Sequence, residues 1–228
     1  MAEPPLARAL AAEALGSFFL FAAVIGSGIM AEALSPANPG VALLANTAAT
    51  GAILYVLIAL LGPLSGAQFN PAVTLAFLLR REIAPGRAAG YLGVQLAAGV
   101  LGTFAAHLMF GLPILQLSGH ARAGIGQWTG EFVATFGLVL TILGLLRHRP
   151  EAIPAGVALY IVAAYWFTSS TSFANPAITV ARSLSDTFAG IAPGDVPAFI
   201  LAQLAGAGAA TLAGGWLFAG DLGASRRR

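Results

Sequence analysis

Apolar residues run along this chain in six long blocks, at about 10–30, 41–61, 88–110, 127–146, 153–167 and 198–219. Short segments rich in Pro, Gly and Arg separate them. A helix rises about 1.5 Å per residue and the bilayer hydrocarbon is about 30 Å thick, so about 20 apolar residues cross it. Each block therefore predicts one membrane-spanning helix. The block at 153–167 is the shortest, and Tyr165 and Trp166 near its end read as anchors at the membrane interface. Gly62-Pro63 is expected to break the chain at the end of the second span.

Two shorter apolar runs fall between the blocks. They open on Asn70-Pro71-Ala72 and Asn175-Pro176-Ala177, each just after a small polar loop. Asn is a favoured helix N-cap and Pro a favoured first helical residue, so each triplet predicts a helix start. A helix from Asn70 to Arg80 reaches only about 15 Å, about half the hydrocarbon thickness. Two such half-helices meeting end to end make one crossing. Their N-termini then face each other near the midplane, each with about half a unit of positive charge and free N–H groups. Non-helical backbone at that depth is tolerated only against protein or a water-filled cavity, which points to a pore. Asn38-Pro39 opens no separate short run of this kind.

The two halves of the chain repeat. Ala12-Glu13-Ala14-Leu15-Gly16-Ser17-Phe18 matches Gly130-Glu131-Phe132-Val133-Ala134-Thr135-Phe136, and both triplets continue with a β-branched residue and Thr. Tyr91-Leu92-Gly93-Val94-Gln95-Leu96-Ala97 matches Phe199-Ile200-Leu201-Ala202-Gln203-Leu204-Ala205. Each half holds an odd number of spans, so the second copy enters the membrane upside down. The expected fold is an all-α membrane protein of six transmembrane helices and two re-entrant half-helices. It forms one channel domain over 1–228, built from inverted repeats at about 1–118 and 119–228. Such repeats place a site near the midplane, where they meet.

Composition agrees: the 228 residues are 58% hydrophobic and 9% charged, against about 25% charged in soluble domains. There is no Cys, which excludes disulfides and Cys-ligated metals, and His107, His120 and His148 show no ligand spacing. No cofactor or metal is expected. Every basic residue other than histidine is Arg. Arg8, Arg80, Arg81, Arg87, Arg147, Arg149 and Arg226 to Arg228 fall on one side of the predicted membrane, Arg122 and Arg182 on the other. Positive-inside logic puts both termini in the cytoplasm, in a multi-pass protein of the inner (plasma) membrane. The arginines form no stripe for nucleic acid. Without Cys, a His–acid pair or a phosphate-cradling loop, an enzyme is not expected.

Two triplets, each preceded by a span bearing a Glu, resemble the aquaporins of the major intrinsic protein family. The resemblance covers nearly the whole chain. It implies one pore per subunit, a homotetramer in the lipid bilayer, and passive conduction of water or small neutral solutes with exclusion of protons. It also implies that Asn70 and Asn175 point amide donors into the pore, orient each passing water or hydroxyl and so interrupt a proton wire. The family usually carries an Arg directly after the second triplet, where this chain has Ile178. The other filter positions, carried over by their distance from the triplets, are Thr50, Ala163 and Ser172. The filter is then expected to be wide and largely apolar, with hydroxyls from Thr50 and Ser172. That suits glycerol-like polyols and undissociated arsenous acid as well as water. The pattern is similar to a bacterial aquaglyceroporin subgroup that lacks the filter arginine and is associated with arsenic resistance. A water-selective pore and an ion-conducting pore are the alternatives.

Three charged residues complete the expectations. Glu13 and Glu131 read either as members of a proton relay or, as the family implies, as acceptors that hold the loops before the half-helices. Arg182 lies four residues beyond Ile178, hence on the same helix face one turn further out. It reads either as a displaced positive charge at the outer mouth or as a solvated half-helix end paired with Asp186.

Overall fold

The computed structural model describes residues 4–219, so Arg226 to Arg228 lie outside the described residues. Eight α-helices follow one another: α1 (Leu6–Leu34), α2 (Pro39–Ser65), α3 (Pro71–Leu79), α4 (Pro85–Met109), α5 (Ile125–His148), α6 (Ile153–Phe167), α7 (Pro176–Ser183) and α8 (Val196–Leu217). Six of them, with the short 3-10 turns ahead of α6 and α8, are long and apolar enough to cross a membrane. The remaining two, α3 and α7, are the half-helices.

Local chemistry sets the helix ends. Asn38 caps α2, its Oδ1 accepting from the Val41 N–H at 3.1 Å. Gly62-Pro63 does not break this helix. Pro63 sits in its last turns and forfeits a single ladder bond, a loss that a helix end tolerates better than an interior. The stop comes at Gly66, whose φ of 84° is open to glycine and whose N–H closes on the Gly62 carbonyl.

α1 packs against α2 and α4, α5 against α6 and α8, and α2 against α6. The half-helices cross over: α3 leans mainly on α8, and α7 mainly on α4. Glycine permits the closest approaches. A Cβ on Gly102 of α4 would stand 2.2 Å from the Phe18 carbonyl oxygen of α1, and one on Gly206 of α8 would stand 2.5 Å from that of Phe132 on α5. Backbone cannot step aside, so only glycine fits there.

The polarity of the bundle is that of a multi-pass integral membrane protein. Its outer surface carries Leu60, Leu101, Leu159, Leu201, Leu212 and Trp216, while Glu13, Asn46, Gln95, Glu131 and Gln203 are buried inside. Gly102→Val is expected to destabilise by about 1–3 kcal/mol through overpacking, read as a lower unfolding midpoint in detergent. Gly93→Ala, with nothing within 4 Å of the added carbon, should leave the midpoint where it is.

Candidate conduction pore

Both half-helices start in the same way. Asn70 Oδ1 accepts from the Ala72 N–H at 2.9 Å, and Asn175 Oδ1 from the Ala177 and Ile178 N–H groups at 3.0 and 3.3 Å. Pro71 and Pro176 take the first helical position, where no N–H is needed. Each amide nitrogen then reaches across the middle of the molecule. Asn70 Nδ2 donates to the Ala174 carbonyl at 2.7 Å, and Asn175 Nδ2 to the Phe69 carbonyl at 2.8 Å. The two loops are cross-tied by the two asparagines. One N–H of each amide is committed to the tie, which leaves one per asparagine for the lumen that both side chains line.

The loops leading into the triplets are strained. Ala67 and Phe69 in the first, and Thr171, Ser172 and Ala174 in the second, have φ between 47° and 60°. Left-handed backbone costs a non-glycine residue about 1–2 kcal/mol, so something must hold it. Two buried carboxylates do. Glu13 accepts from the Gln68 and Phe69 N–H groups at 2.9 and 2.7 Å, from Ser65 Oγ at 2.7 Å and from Gln95 Nε2 at 2.8 Å. Glu131 accepts from the Phe173 and Ala174 N–H groups, both at 2.8 Å, and from Gln203 Nε2 at 2.6 Å. Each glutamine also donates to a threonine, Gln95 to Thr74 and Gln203 to Thr179, and each threonine hydroxyl donates to the carbonyl of its asparagine. This is the geometry of loop support: every carboxylate oxygen already serves the loop or its brace. Gln95, Gln203, Thr74 and Thr179 were not singled out from the sequence, although their recurrence at matching places in the repeat carried the signal.

The lumen is lined in four-residue ladders. α2 supplies Thr50, Leu54 and Ile58, α5 supplies Leu138, Ile142 and Leu146, and α6 supplies Ile153, Val157, Ile161 and Tyr165. Val73 and Phe77 come from α3, and Ile178 and Arg182 from α7. The water-accessible volume is about 100 Å³. At about 10–15 Å³ per water on this measure, that is room for several waters.

Of the four positions expected to form a filter, Thr50, Ser172 and Ile178 line the lumen. Ala163 does not. It is exposed on the outer surface of α6. Two residues turn a helix by about 200°, so Ala163 points away from the face that carries Ile161 and Tyr165. Distance from the triplet ignored this phase. Tyr165 lines the lumen on that face instead. It is no interfacial anchor: it is 3% exposed, and its hydroxyl lies 3.3 Å from Thr50 Oγ1, whereas Trp166 is half exposed.

Arg182 is neither solvated nor paired with Asp186. It is 2% exposed, and Asp186 instead accepts from the Gly119 N–H at 2.9 Å. Arg182 Nε donates to the Ala189 carbonyl, and the guanidinium carbon stacks 3.3 Å from the centroid of the Phe173 ring, which also lines the lumen. The lumen wall as a whole is largely apolar, and the region around Thr50 adds polar groups to it. It combines the paired hydroxyls of Thr50 and Tyr165 with an aromatic ring and a cation, while the Ser172 hydroxyl is buried beneath the wall. His107 is a packed polar residue, bonded through its ring nitrogens to the Ile114 carbonyl and Ser185 Oγ at 2.9 and 2.8 Å.

The profile of the family described as Major intrinsic protein matches residues 1–168. The chain belongs to the major intrinsic protein family. It is a passive membrane channel for water and small solutes. It is 55% identical over 217 residues to aquaglyceroporin AqpS of Rhizobium meliloti (strain 1021), covering 95% of this chain and 93% of that protein. It is 29% identical to Nodulin-26 of Glycine max, over 94% of this chain and 78% of that one. Among solved structures, the X-ray structure of the aquaglyceroporin from Plasmodium falciparum superposes with a TM-score of 0.69, over 91% of this chain and 95% of the other. At 18% identity that likeness is one of fold alone.

Proteoliposome flux distinguishes Tyr165 from Ala163 as the residue that faces the lumen. Tyr165→Ala removes a ring from the lumen and should raise glycerol permeability several-fold. Ala163→Trp adds a ring to the outer surface and should change nothing. The reverse pattern would restore Ala163 to the filter.

Proposed function

We propose that this channel passes glycerol-like polyols and water, with undissociated arsenous acid among its small uncharged solutes, and excludes protons. The observation that carries the reading is the asparagine tie at the lumen, with one amide N–H left over on each side chain. A passing hydroxyl accepts from both spare donors and is oriented by them. Its own hydrogens then point away from the centre, and a proton wire, which needs waters donating in sequence, is interrupted. The positive ends of α3 and α7 oppose cations at the same point.

The lumen walls support a polyol. Leucine, isoleucine and valine ladders suit the C–H edge of a carbon chain, while Thr50 and Tyr165 suit its hydroxyls. The relative named as an aquaglyceroporin supports the same choice. A water-selective channel is the second reading, favoured by Tyr165 and Arg182 in the lumen. Arg182 takes over, one turn displaced, the charge missing at Ile178, and repels cations at the outer mouth. Glu13 and Glu131 act as loop supports and not as a relay. The working unit is a homotetramer of chains, each of two inverted repeats, in the inner membrane with both termini cytoplasmic. It performs no catalysis.

Stopped-flow light scattering on proteoliposomes tests the solute class. A sucrose gradient should give fast shrinkage, and a glycerol gradient fast shrinkage followed by fast re-swelling. Shrinkage without re-swelling would establish the water-selective reading. Planar-bilayer conductance tests the charge. A cation about 5 Å from Arg182 meets about 3 kcal/mol at an effective dielectric constant near 20. Arg182→Ala should therefore raise cation leak by about tenfold or more, and an unchanged leak would remove Arg182 from this role.

A further inference from the structure

Arg122 stands outside the lumen, in the segment joining α4 to α5. Its Nε donates to the Gly190 carbonyl at 2.7 Å, its Nη1 to the Ser170 carbonyl at 3.4 Å, and its backbone N–H to Asp195 Oδ2 at 2.7 Å. Its guanidinium carbon lies 5.0 Å from the centroid of Phe173, the ring on which Arg182 is stacked. The two arginines thus share one ring and hold adjacent carbonyls, Arg182 that of Ala189 and Arg122 that of Gly190. Phe173 is pinned from elsewhere too. Phe199 meets it edge-on at 5.2 Å, and its N–H is bonded to Glu131.

The neighbourhood is built for this arrangement. A Cβ on Gly190 would stand 2.2 Å from Ser118 Oγ and 2.6 Å from the Ser185 carbonyl, so glycine lets the 118–122 segment press against the turn that follows α7. Two like charges on one ring repel each other, and burial pulls the Arg122 pKa below its ordinary value. The Glu131 carboxylate opposes both effects. A planar guanidinium can lie on a ring and serve two carbonyls at once, which an ammonium cannot.

We infer that Arg122 is a positioning residue of the filter: it fixes Phe173 and the 189–190 carbonyls, and through them sets where the Arg182 charge stands in the lumen. This rests on the reading of Arg182 as the lumen charge. Selectivity then depends on a side chain that touches no solute, held in a segment outside the spans.

Conductance, glycerol-to-water permeability ratio and unfolding midpoint are to be compared for wild type, Arg122→Ala, Arg122→Gln, Arg182→Ala and the Arg122→Ala/Arg182→Ala double variant. Arg122→Gln keeps a donor for the Gly190 carbonyl and serves if the alanine variant does not fold. Both Arg122 variants should raise cation leak several-fold toward that of Arg182→Ala and shift the permeability ratio. The double variant should leak no more than Arg182→Ala alone, because the two substitutions act through one element. A merely structural role would lower the midpoint and all fluxes together and leave the ratio unchanged. That result, or leaks that multiply in the double variant, would overturn the inference. If Arg182→Ala leaks and the Arg122 variants do not, only the positioning role fails. If Arg182→Ala itself is silent, the reading of Arg182 fails first, and the inference with it.

Discussion

Two carboxylates buried in a membrane bundle hold this structure's centre open. A half-helix that begins at the midplane leaves backbone N–H groups and an irregular loop where no bulk water can serve them. Glu13 and Glu131 supply the missing acceptors, each to two consecutive loop N–H groups, and the left-handed residues on either side are kept in place by those bonds. The glutamines brace the carboxylates, the threonines brace the glutamines, and the threonines return to the carbonyls of Asn70 and Asn175. The chain is closed in each half. Because every member is buried, loss of any one strands the others without partners, which is costly in a low-dielectric interior. Rigidity at the centre follows from that cost.

From the centre outward, the lumen changes character. Toward the Ile153 end it is a set of aliphatic ladders with little to bind. Around Thr50 it gathers hydroxyls, the Phe173 ring and a guanidinium. The position directly after the second triplet, Ile178, contributes only a branched apolar side chain. The charge comes from the next turn of the same helix, and it reaches its place because Phe173 offers a face to stack on and Ala189 a carbonyl to hold. The guanidinium thus stands in the lumen one turn beyond the position where the family usually carries its arginine, and its role as the filter charge is our proposal.

Much of this was legible in the residues. Each long apolar block became a span, the triplets became helix starts, and Glu13 and Glu131 stand on the loops. Helix length, capping and the need to satisfy a buried acid are local rules, and they survive folding. Ala163 and Tyr165 show where such reading stops. They are two positions apart on one helix, and which of them faces the lumen depends on the rotation of α6 against α2 and α5. The pattern Ile153, Val157, Ile161, Tyr165 contained that phase, but counting from the triplet did not use it. Pro63 is a milder case: a helix near its end loses little by housing it.

The sequence by itself determined the class of the molecule, the number of spans, the two broken crossings and the acids that support them, because these follow from hydrophobic length and short-range bonding. Only the tertiary structure decided which side chains share the lumen and where the positive charge sits. Tyr165 meets Thr50 across two helices, the asparagines tie opposite loops, and Arg182, Phe173 and Arg122 come from three separate segments. Contacts between residues far apart in the chain depend on how rigid helices rotate and pack together; spacing along one helix says which residues share a face, but not what that face meets.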